Sequence, residues 1–277
     1  MNFASAAEQS LRDGDLAGAL HQLQEAVRAK PDDSKLRIFL FQLLSVLGQW
    51  ERALNQLNVA AELDPGALAM AQMYREALHC EVLRAQVFEG RKSPMVFGQP
   101  DQWLALLIES LLLSGQGKHR EAGTLRATAF DEASATSGVL DNQPFEWIAD
   151  ADSRLGPVCE AIINGRYYWL PFSHLREVTV DAPEDLRDLV WMPAHFRFEN
   201  GGESVALIPT RYPGSEKTDD SQLLLARKTV WIEAAEDIYF GLGQRLFATD
   251  NGEVPLMDTR KISLGSGAAA SSNPVAA

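Results

Sequence analysis

The strongest constraint on the fold is an internal repeat near the start of the chain. Seven residues recur in the same order with a spacing of 34: Gly14, Ala19, Leu20, Gln22, Leu23, Ala26 and Pro31 return as Gly48, Ala53, Leu54, Gln56, Leu57, Ala60 and Pro65. In each copy, glycine suits a tight turn between two helices, alanines let backbones approach closely, and proline ends the second helix. The first part of the chain is therefore predicted to be a stack of helix pairs.

A period of 34 residues with this order of glycine, alanine and proline is typical of the tetratricopeptide repeat. Gly117–Ala122 resembles Gly48–Ala53, which predicts a further, degenerate repeat ending near residue 132. Because isolated repeats cannot bury their apolar faces, something must cover the C-terminal edge of the stack, and the second half of the chain is the candidate. Helices are predicted at residues 4–12, 16–29, 34–47, 50–63, 67–89 and 103–113.

Solenoids of this kind present a concave groove lined by the first helix of each pair, which commonly receives an extended peptide or a partner helix. In the second repeat this helix covers residues 34–47, and its exposed candidates for partner contact are Lys35, Phe39 and Gln42. Phe39 is also compatible with a position in the core, and we favour that alternative.

Strand and turn signals replace the helical periodicity from Asp141 onward. Asn164-Gly165 is the strongest two-residue hairpin signal, and it lies between strands predicted at 158–163 and 166–170. Further strands are predicted at residues 175–180, 195–198, 204–208, 227–233, 244–248 and 254–258. The predicted fold class is α+β: a tetratricopeptide-like α-solenoid at 1–140, a mainly antiparallel β-rich α+β domain at 141–264 and a disordered tail at 265–277.

The charge of the chain excludes several classes of partner. With 38 acidic and 25 basic side chains, the net charge is −13, so the chain repels nucleic acid and anionic membrane surfaces. No segment is long and apolar enough to span a membrane, and the N-terminus lacks the pattern of a secretory signal. The two cysteines are too few for a disulfide framework or a cysteine zinc site. We expect a soluble protein of the cytoplasm.

The basic residues of the second half are mostly arginines. From residue 141 onward there are nine arginines and only three lysines. Arginine forms bidentate, ordered pairs with carboxylates, whereas lysine more often serves as a solvated charge. This bias indicates either internal ion-pair networks or a shaped recognition surface, and we favour internal networks.

Few residues have the spacing that catalysis or metal binding requires. The five histidines never occur at ligand spacing, so no metal site and no cofactor are expected. Asp150 and Asp152, together with Glu160, could supply carboxylates for metal binding or acid–base chemistry. The favoured interpretation is that Asp150 or Asp152 caps a turn and pairs with Arg154. Cys159 is expected to be a buried, inert thiol. Gly241–Arg245 could hold an anion in a backbone nest, although a tight bend entering a strand explains the same glycines. No catalytic residue is assigned.

Two alternatives to a binding protein nevertheless remain open. One is an enzyme that uses Asp150, Asp152, Arg187 and Arg211 in a cleft between the domains, and it rests on a cluster of charges with no motif. The other is a scaffold for an unrelated cytoplasmic complex. Arg187 and Arg211 are also candidates for partner contact.

Several motifs of the second half resemble one known family. They are Asp150-x-Asp152-x-Arg154-x-Gly156-Pro157, Asn164–Trp169 followed by Pro171-Phe172, Leu186–Trp191, Pro209–Ser215 and Gly241–Arg245. Together with the N-terminal repeats, they make residues 5–262 similar to the ImpE family, also called TagJ-type, of accessory components of bacterial type VI secretion.

This resemblance implies a cytoplasmic, non-enzymatic protein with a helical-repeat domain followed by an α+β domain. It also implies association with the contractile sheath, through an N-terminal helix of the small sheath subunit (TssB/VipA). Through that subunit, the protein would be connected to sheath handling by the ClpV unfoldase. An adaptor of this type agrees with a solenoid that lacks a recognisable catalytic motif.

Overall fold

The computed structural model describes residues 3–236 and 238–265. Each predicted helix is present within two residues of its predicted bounds, so the helical-repeat prediction is confirmed. The predicted disordered tail lies outside the described residues beyond Gly265. The long helices are α1 (Phe3–Asp13), α2 (Leu16–Ala29), α3 (Ser34–Val46), α4 (Trp50–Leu63), α5 (Leu68–Phe88), α6 (Gln102–Gly115) and α7 (His119–Glu132).

The repeat residues have the roles that their chemistry predicts. Gly14 and Gly48 turn the chain between paired helices with φ angles of +80° and +66°, a region that favours glycine. Ala19 and Ala53 are completely buried where neighbouring helices meet. The side chain of Asp33 caps α3 by accepting hydrogen bonds from the first amides of that helix.

Short strands dominate the second half. In chain order they are β1 (Gly138–Leu140), β2 (Gln143–Phe145), β3 (Ile148–Asp150), β4 (Val158–Ile163), β5 (Arg166–Pro171), β6 (Leu175–Val180), β7 (Trp191–Phe198), β8 (Glu203–Pro209), β9 (Thr229–Ala235), β10 (Ile238–Gly243), β11 (Leu246–Thr249), β12 (Gly252–Pro255) and β13 (Lys261–Leu264). One further short helix, α8 (Ser221–Leu224), precedes β9.

These strands form antiparallel sheets, as predicted. An eight-stranded sheet has the order β2-β1-β13-β6-β7-β8-β4-β5, and a three-stranded sheet has the order β12-β11-β3. The β9–β10 hairpin forms a separate two-stranded sheet. The predicted hairpin is confirmed, because Asn164 and Gly165 both have positive φ and Ile163 pairs with Arg166.

The sequence predicted fewer strands than the structure contains. The described residues include thirteen strands, and β1, β2, β3, β10 and β13 were not predicted. Four of these five have only three or four residues, which is too short for a clear alternation of apolar and polar positions. The unpredicted strand β10 instead contains two glycines, which have low strand propensity.

The large sheet has a hydrophobic core on each face. On one face, Trp169 and Trp191 pack against helices of the solenoid, where Tyr74 lies between Phe41 and Trp191 at ring distances of 5.9 and 5.7 Å. On the other face, Phe172 packs against Phe247 of the three-stranded sheet. The sheet domain thus covers α3, the first helix of the second pair, and α5, the long helix that follows that pair.

Gly48 offers a direct test of the contact between the two halves. A Cβ atom at Gly48 would lie 2.6 Å from Cβ of Glu216, whereas one at Gly117, with a similar φ, would meet nothing within 4 Å. Gly117→Ala should lower the free energy of unfolding by about 1–2 kcal/mol, the cost of a left-handed backbone for alanine. Gly48→Ala should lower it by at least about 1 kcal/mol more, because of overpacking. Guanidinium unfolding of both variants measures this, and equal losses would contradict the contact.

Candidate functional site

A buried cluster of charged residues joins the solenoid to the sheet. Arg84 extends from the covered face of α5, and its guanidinium forms a bidentate pair with Glu160 of β4, with Nε–Oε1 and Nη2–Oε2 distances of 2.7 and 2.9 Å. Arg84 is 4% exposed and Glu160 is fully buried. Nη2 of Arg84 also donates to the carbonyl of Arg211 at 2.9 Å. A single arginine of the helical half therefore contacts two strand-bearing segments of the second half.

A second arginine, Arg245, also belongs to this cluster. Arg245 donates to Glu160 and to Asp150, and its Nε donates to the carbonyl of Pro209 at 2.8 Å. The hydroxyl of Tyr167 also donates to Glu160. Although burial raises the pKa of Glu160, the guanidinium groups of Arg84 and Arg245 outweigh it and hold that pKa at about 2. Glu160 is therefore ionised at neutral pH and pairs with two cations, whereas burial raises the pKa of Asp150 to about 7 against the opposing charge of Arg245.

Glu81, one turn before Arg84, extends the cluster along α5. Its carboxylate accepts a hydrogen bond from Nε1 of Trp191 at 3.0 Å and lies 3.4 Å from Nη1 of Arg84. Burial raises the pKa of Glu81, whereas the charge of Arg84 opposes that shift. Arg84, Glu160, Arg245, Asp150 and Glu81 are named the interdomain charge cluster below.

The predicted cleft of Asp150, Asp152, Arg187 and Arg211 is not formed. Asp150 pairs with Arg245 in the core, and Asp152 accepts hydrogen bonds from Nε of Arg154 at 2.9 Å and from the amide of Gly241 at 2.8 Å. Arg187 instead pairs with Asp185 near the surface. The favoured pairing of Asp152 with Arg154 is confirmed, and these buried carboxylates are already bonded within the protein.

The other candidates for chemistry also have structural roles. The amide of Gly243 donates to the hydroxyl of Ser215 at 2.8 Å, and a Cβ atom at Gly241 would lie 2.3 Å from the ring of Tyr212. These glycines lie at the end of β10 and allow close packing, so their amides are not free to bind an anion. Burial raises the pKa of the Cys159 thiol to about 12, as expected for an inert cysteine.

Neither a metal centre nor a membrane span is found in the described part of the chain. No three His, Cys, Asp or Glu side chains of residues 3–236 and 238–265 come together as possible metal ligands. Across the same residues, no helix combines the length and the apolar character needed to cross a bilayer.

The residues predicted to contact a partner have different environments. Lys35 is exposed, and Phe39 is half-buried against the solenoid core, as favoured. Gln42 is only 7% exposed and Arg211 only 4%, so the predicted exposure of Gln42 and the proposed partner contact of Arg211 are wrong. Arg187 has 19% of its side chain exposed and lies 4.8 Å from the centre of the Tyr74 ring.

Burial of Gln42 and Arg211 has a common cause. The second half covers the C-terminal part of α3, where every residue from Leu40 to Val46 is buried. Nη1 of Arg211 donates to the carbonyls of Val46 and Leu224, at 2.8 and 2.6 Å. Arg211 thus satisfies a carbonyl at the end of α3 that has no partner within the helix.

Cationic side chains of the second half contact the C-terminal ends of three helices, α1, α3 and α5. Arg227 donates to the carbonyls of Leu11 and Arg12 at the end of α1, just as Arg211 does for α3. Nζ of Lys217 instead lies 3.3 Å from the side-chain carboxylate of Glu89, the residue that follows α5. The carbonyls at a helix C-terminus carry partial negative charge, so cations are favourable there. Sequence analysis missed these three contacts, although the arginine bias of this half predicted internal pairing, which is confirmed.

Comparisons with known proteins agree with this architecture. Residues 10–77 match the model of the tetratricopeptide repeat, and residues 142–263 match that of the ImpE protein. A Pseudomonas aeruginosa protein described as "Type VI secretion system accessory component TagJ" is 51% identical over 261 residues, which cover 94% of this chain and 92% of that protein. A crystal structure of a Vibrio parahaemolyticus protein has a TM-score of 0.84 at 23% identity, covering 94% of this chain and 98% of that one.

These observations define a helical-repeat protein whose solenoid packs against an antiparallel α+β domain, with buried ion pairs between the two. The identity to the Pseudomonas aeruginosa protein extends over nearly the whole of both chains. The chain belongs to the ImpE family, which includes the TagJ accessory component of type VI secretion. The resemblance inferred from the sequence motifs is thereby confirmed.

Glu160 should be essential for stability. Glu160→Gln leaves Arg84 and Arg245 with an uncompensated buried charge, so the free energy of unfolding should fall by about 3–5 kcal/mol. The matched control is Glu177→Gln, which removes a partly exposed carboxylate, 2.7 Å from Lys261, in the same sheet. That variant should lose less than about 1 kcal/mol. Chemical denaturation of both variants checks this.

The pH dependence gives a second measurement of the same cluster. Because the pKa of Glu160 falls from 4.5 to about 2 on folding, its contribution is present above pH 4.5 and is lost as the pH falls towards 2. The Glu160→Gln variant should lack this part of the acid-induced loss of stability. An unchanged acid dependence in the variant would contradict the assigned ionisation of Glu160.

Proposed function

We propose that this chain is a non-enzymatic cytoplasmic adaptor of a type VI secretion system. In this proposal it binds an N-terminal helix of the small sheath subunit (TssB/VipA) and connects that subunit to the ClpV unfoldase. The name of the Pseudomonas aeruginosa relative supports an accessory role in secretion, and tetratricopeptide repeats commonly bind peptides or helices.

The proposal rests on one observation: the second half leaves part of the solenoid surface near α3 accessible. α3 packs against the 3₁₀ turn Leu186–Leu189, where Leu186 and Leu189, like Phe39, are half-buried hydrophobic residues. Lys35 is exposed on the same helix, and Arg187 lies in the turn. An amphipathic helix could place its apolar strip on the hydrophobic residues and its acidic side chains near the two cations.

Binding of the sheath-subunit helix tests the function. A peptide of this N-terminal helix should bind the full chain in calorimetric titration, and Lys35→Glu combined with Phe39→Ala should weaken binding at least tenfold, or about 1.4 kcal/mol. Lys92→Glu is the charge-matched control, because Lys92 is exposed in the segment between α5 and α6. It should leave the affinity unchanged.

The possible failures of this experiment have different meanings. If the wild-type chain does not bind the peptide at about 100 μM, weaker than a typical specific complex, the sheath-helix proposal is wrong. If the wild type binds and the double variant binds equally well, the function is retained but Lys35 and Phe39 are not its site. Circular dichroism of each variant establishes that the fold is intact.

A further inference from the structure

A segment of the second half crosses the turns of the first two helix pairs. Residues 214–224, named the strap here, approach the two glycines that occupy equivalent repeat positions. A Cβ atom at Gly14 would lie 3.2 Å from Oγ of Ser221, and one at Gly48 would lie 2.6 Å from Cβ of Glu216. The strap therefore contacts the solenoid at the same turn in two successive repeats.

Between these two contacts, the strap and the solenoid line the two sides of an open groove with a volume of about 550 Å³. This volume lies within the range of about 300–1,000 Å³ that is typical of ligand sites. Leu16 and Leu20 of α2, Leu47 after α3 and Leu224 of α8 provide apolar surface. Leu16 and Leu224 are almost fully buried, whereas Leu20 and Leu47 are partly accessible.

The rim of the groove is acidic. Asp15, Glu216 and Asp219 line it, and Asp15 and Asp219 are exposed. Lys217 is the one cation among the lining residues, and it lies 3.3 Å from Glu89, so its charge is partly compensated. An apolar centre with a charged, accessible rim is typical of protein–protein interfaces.

We propose that this groove, the strap groove, binds a basic amphipathic helical segment of a partner protein. The segment places leucine-like side chains against Leu20 and Leu47, and its lysines or arginines contact Asp15, Glu216 and Asp219. The chain's own tail does not fit this chemistry, because residues 266–277 contain no lysine or arginine. Charge complementarity therefore favours a separate partner.

The strap groove differs in charge from the surface proposed for the sheath helix. Lys35 and Arg187 on that surface suit an acidic helix, whereas the strap groove suits a basic one. Two surfaces of opposite charge allow one chain to bind two different partners at once. This inference goes beyond the sheath-helix function and does not require it.

A synthetic peptide tests the charge and apolar requirements. The probe is an 18-residue helix with leucines at i, i+3, i+4 and i+7 and lysines at the flanking positions, and its control carries glutamates in place of the lysines. In fluorescence anisotropy with the full chain, the lysine peptide should bind at least tenfold more tightly than the glutamate peptide. Equal affinities, or no binding of the lysine peptide at about 1 mM, would overturn the proposal.

Variants then distinguish the groove from general attraction to an acidic protein. Asp219→Lys with Glu216→Gln should weaken binding of the lysine peptide at least tenfold. The control double variant, Glu253→Lys with Glu146→Gln, changes the net charge by the same amount at exposed residues that do not line the groove. It should weaken binding less than twofold. Equal losses in the two double variants would show non-specific attraction and would contradict a defined site.

A third pair of variants tests the groove volume. Ala17 lines the groove and is exposed, so Ala17→Trp should block the peptide, whereas Ala105→Trp, at an exposed position on α6, should not. Retained binding in a folded Ala17→Trp variant would exclude the groove.

The sheath-helix peptide should not displace the lysine peptide, and displacement would contradict two separate surfaces. The results with the lysine peptide and these variants do not depend on whether the sheath helix binds.

Discussion

The pairing of Arg84 with Glu160 is the interaction on which the two halves of this protein depend. Removing a charge from water is costly unless an opposite charge and hydrogen bonds replace the solvent. The helical half buries a guanidinium whose bidentate carboxylate partner belongs to β4 of the other half. Without the sheet, Arg84 would lose that partner, and without α5, Glu160 would lose one of its two cations. The solenoid and the sheet are therefore expected to fold as one unit.

This arrangement changes how the helical repeats can be used. In many repeat proteins the face formed by the first helices is free to bind a partner. Here Trp191 and the 3₁₀ turn Leu186–Leu189 pack on α3 and α5, while Arg227, Arg211 and Lys217 contact the ends of α1, α3 and α5. The second half binds the solenoid much as a partner would, and further partners must use the surfaces that remain outside this contact.

The parts of the fold that the sequence predicted are those with a local, repeated signal. Gly14 and Gly48 revealed the helix pairs through their spacing, and Asn164-Gly165 located a hairpin by its turn chemistry. Burial of Gln42 and Arg211 was not predictable in this way, because periodicity identifies an apolar helix face without showing what covers it. Asp150 and Asp152 looked like candidate catalytic carboxylates for a similar reason. The pairing with Arg154 was predicted from the sequence, whereas Arg245, the partner of Asp150, became recognisable only when β11 was paired with β3.

Hydrogen exchange of the native protein, followed by mass spectrometry at increasing low denaturant concentrations, tests the coupling of the two halves most directly. If the interdomain charge cluster joins them, the slowest amides of α3 and α4 and those of β4 and β7 should exchange through one global unfolding, with the same free energy of opening. If the helical amides instead exchange through a separate opening of clearly lower free energy while the sheet stays protected, the solenoid folds independently. That result would contradict the central role of Arg84 and Glu160.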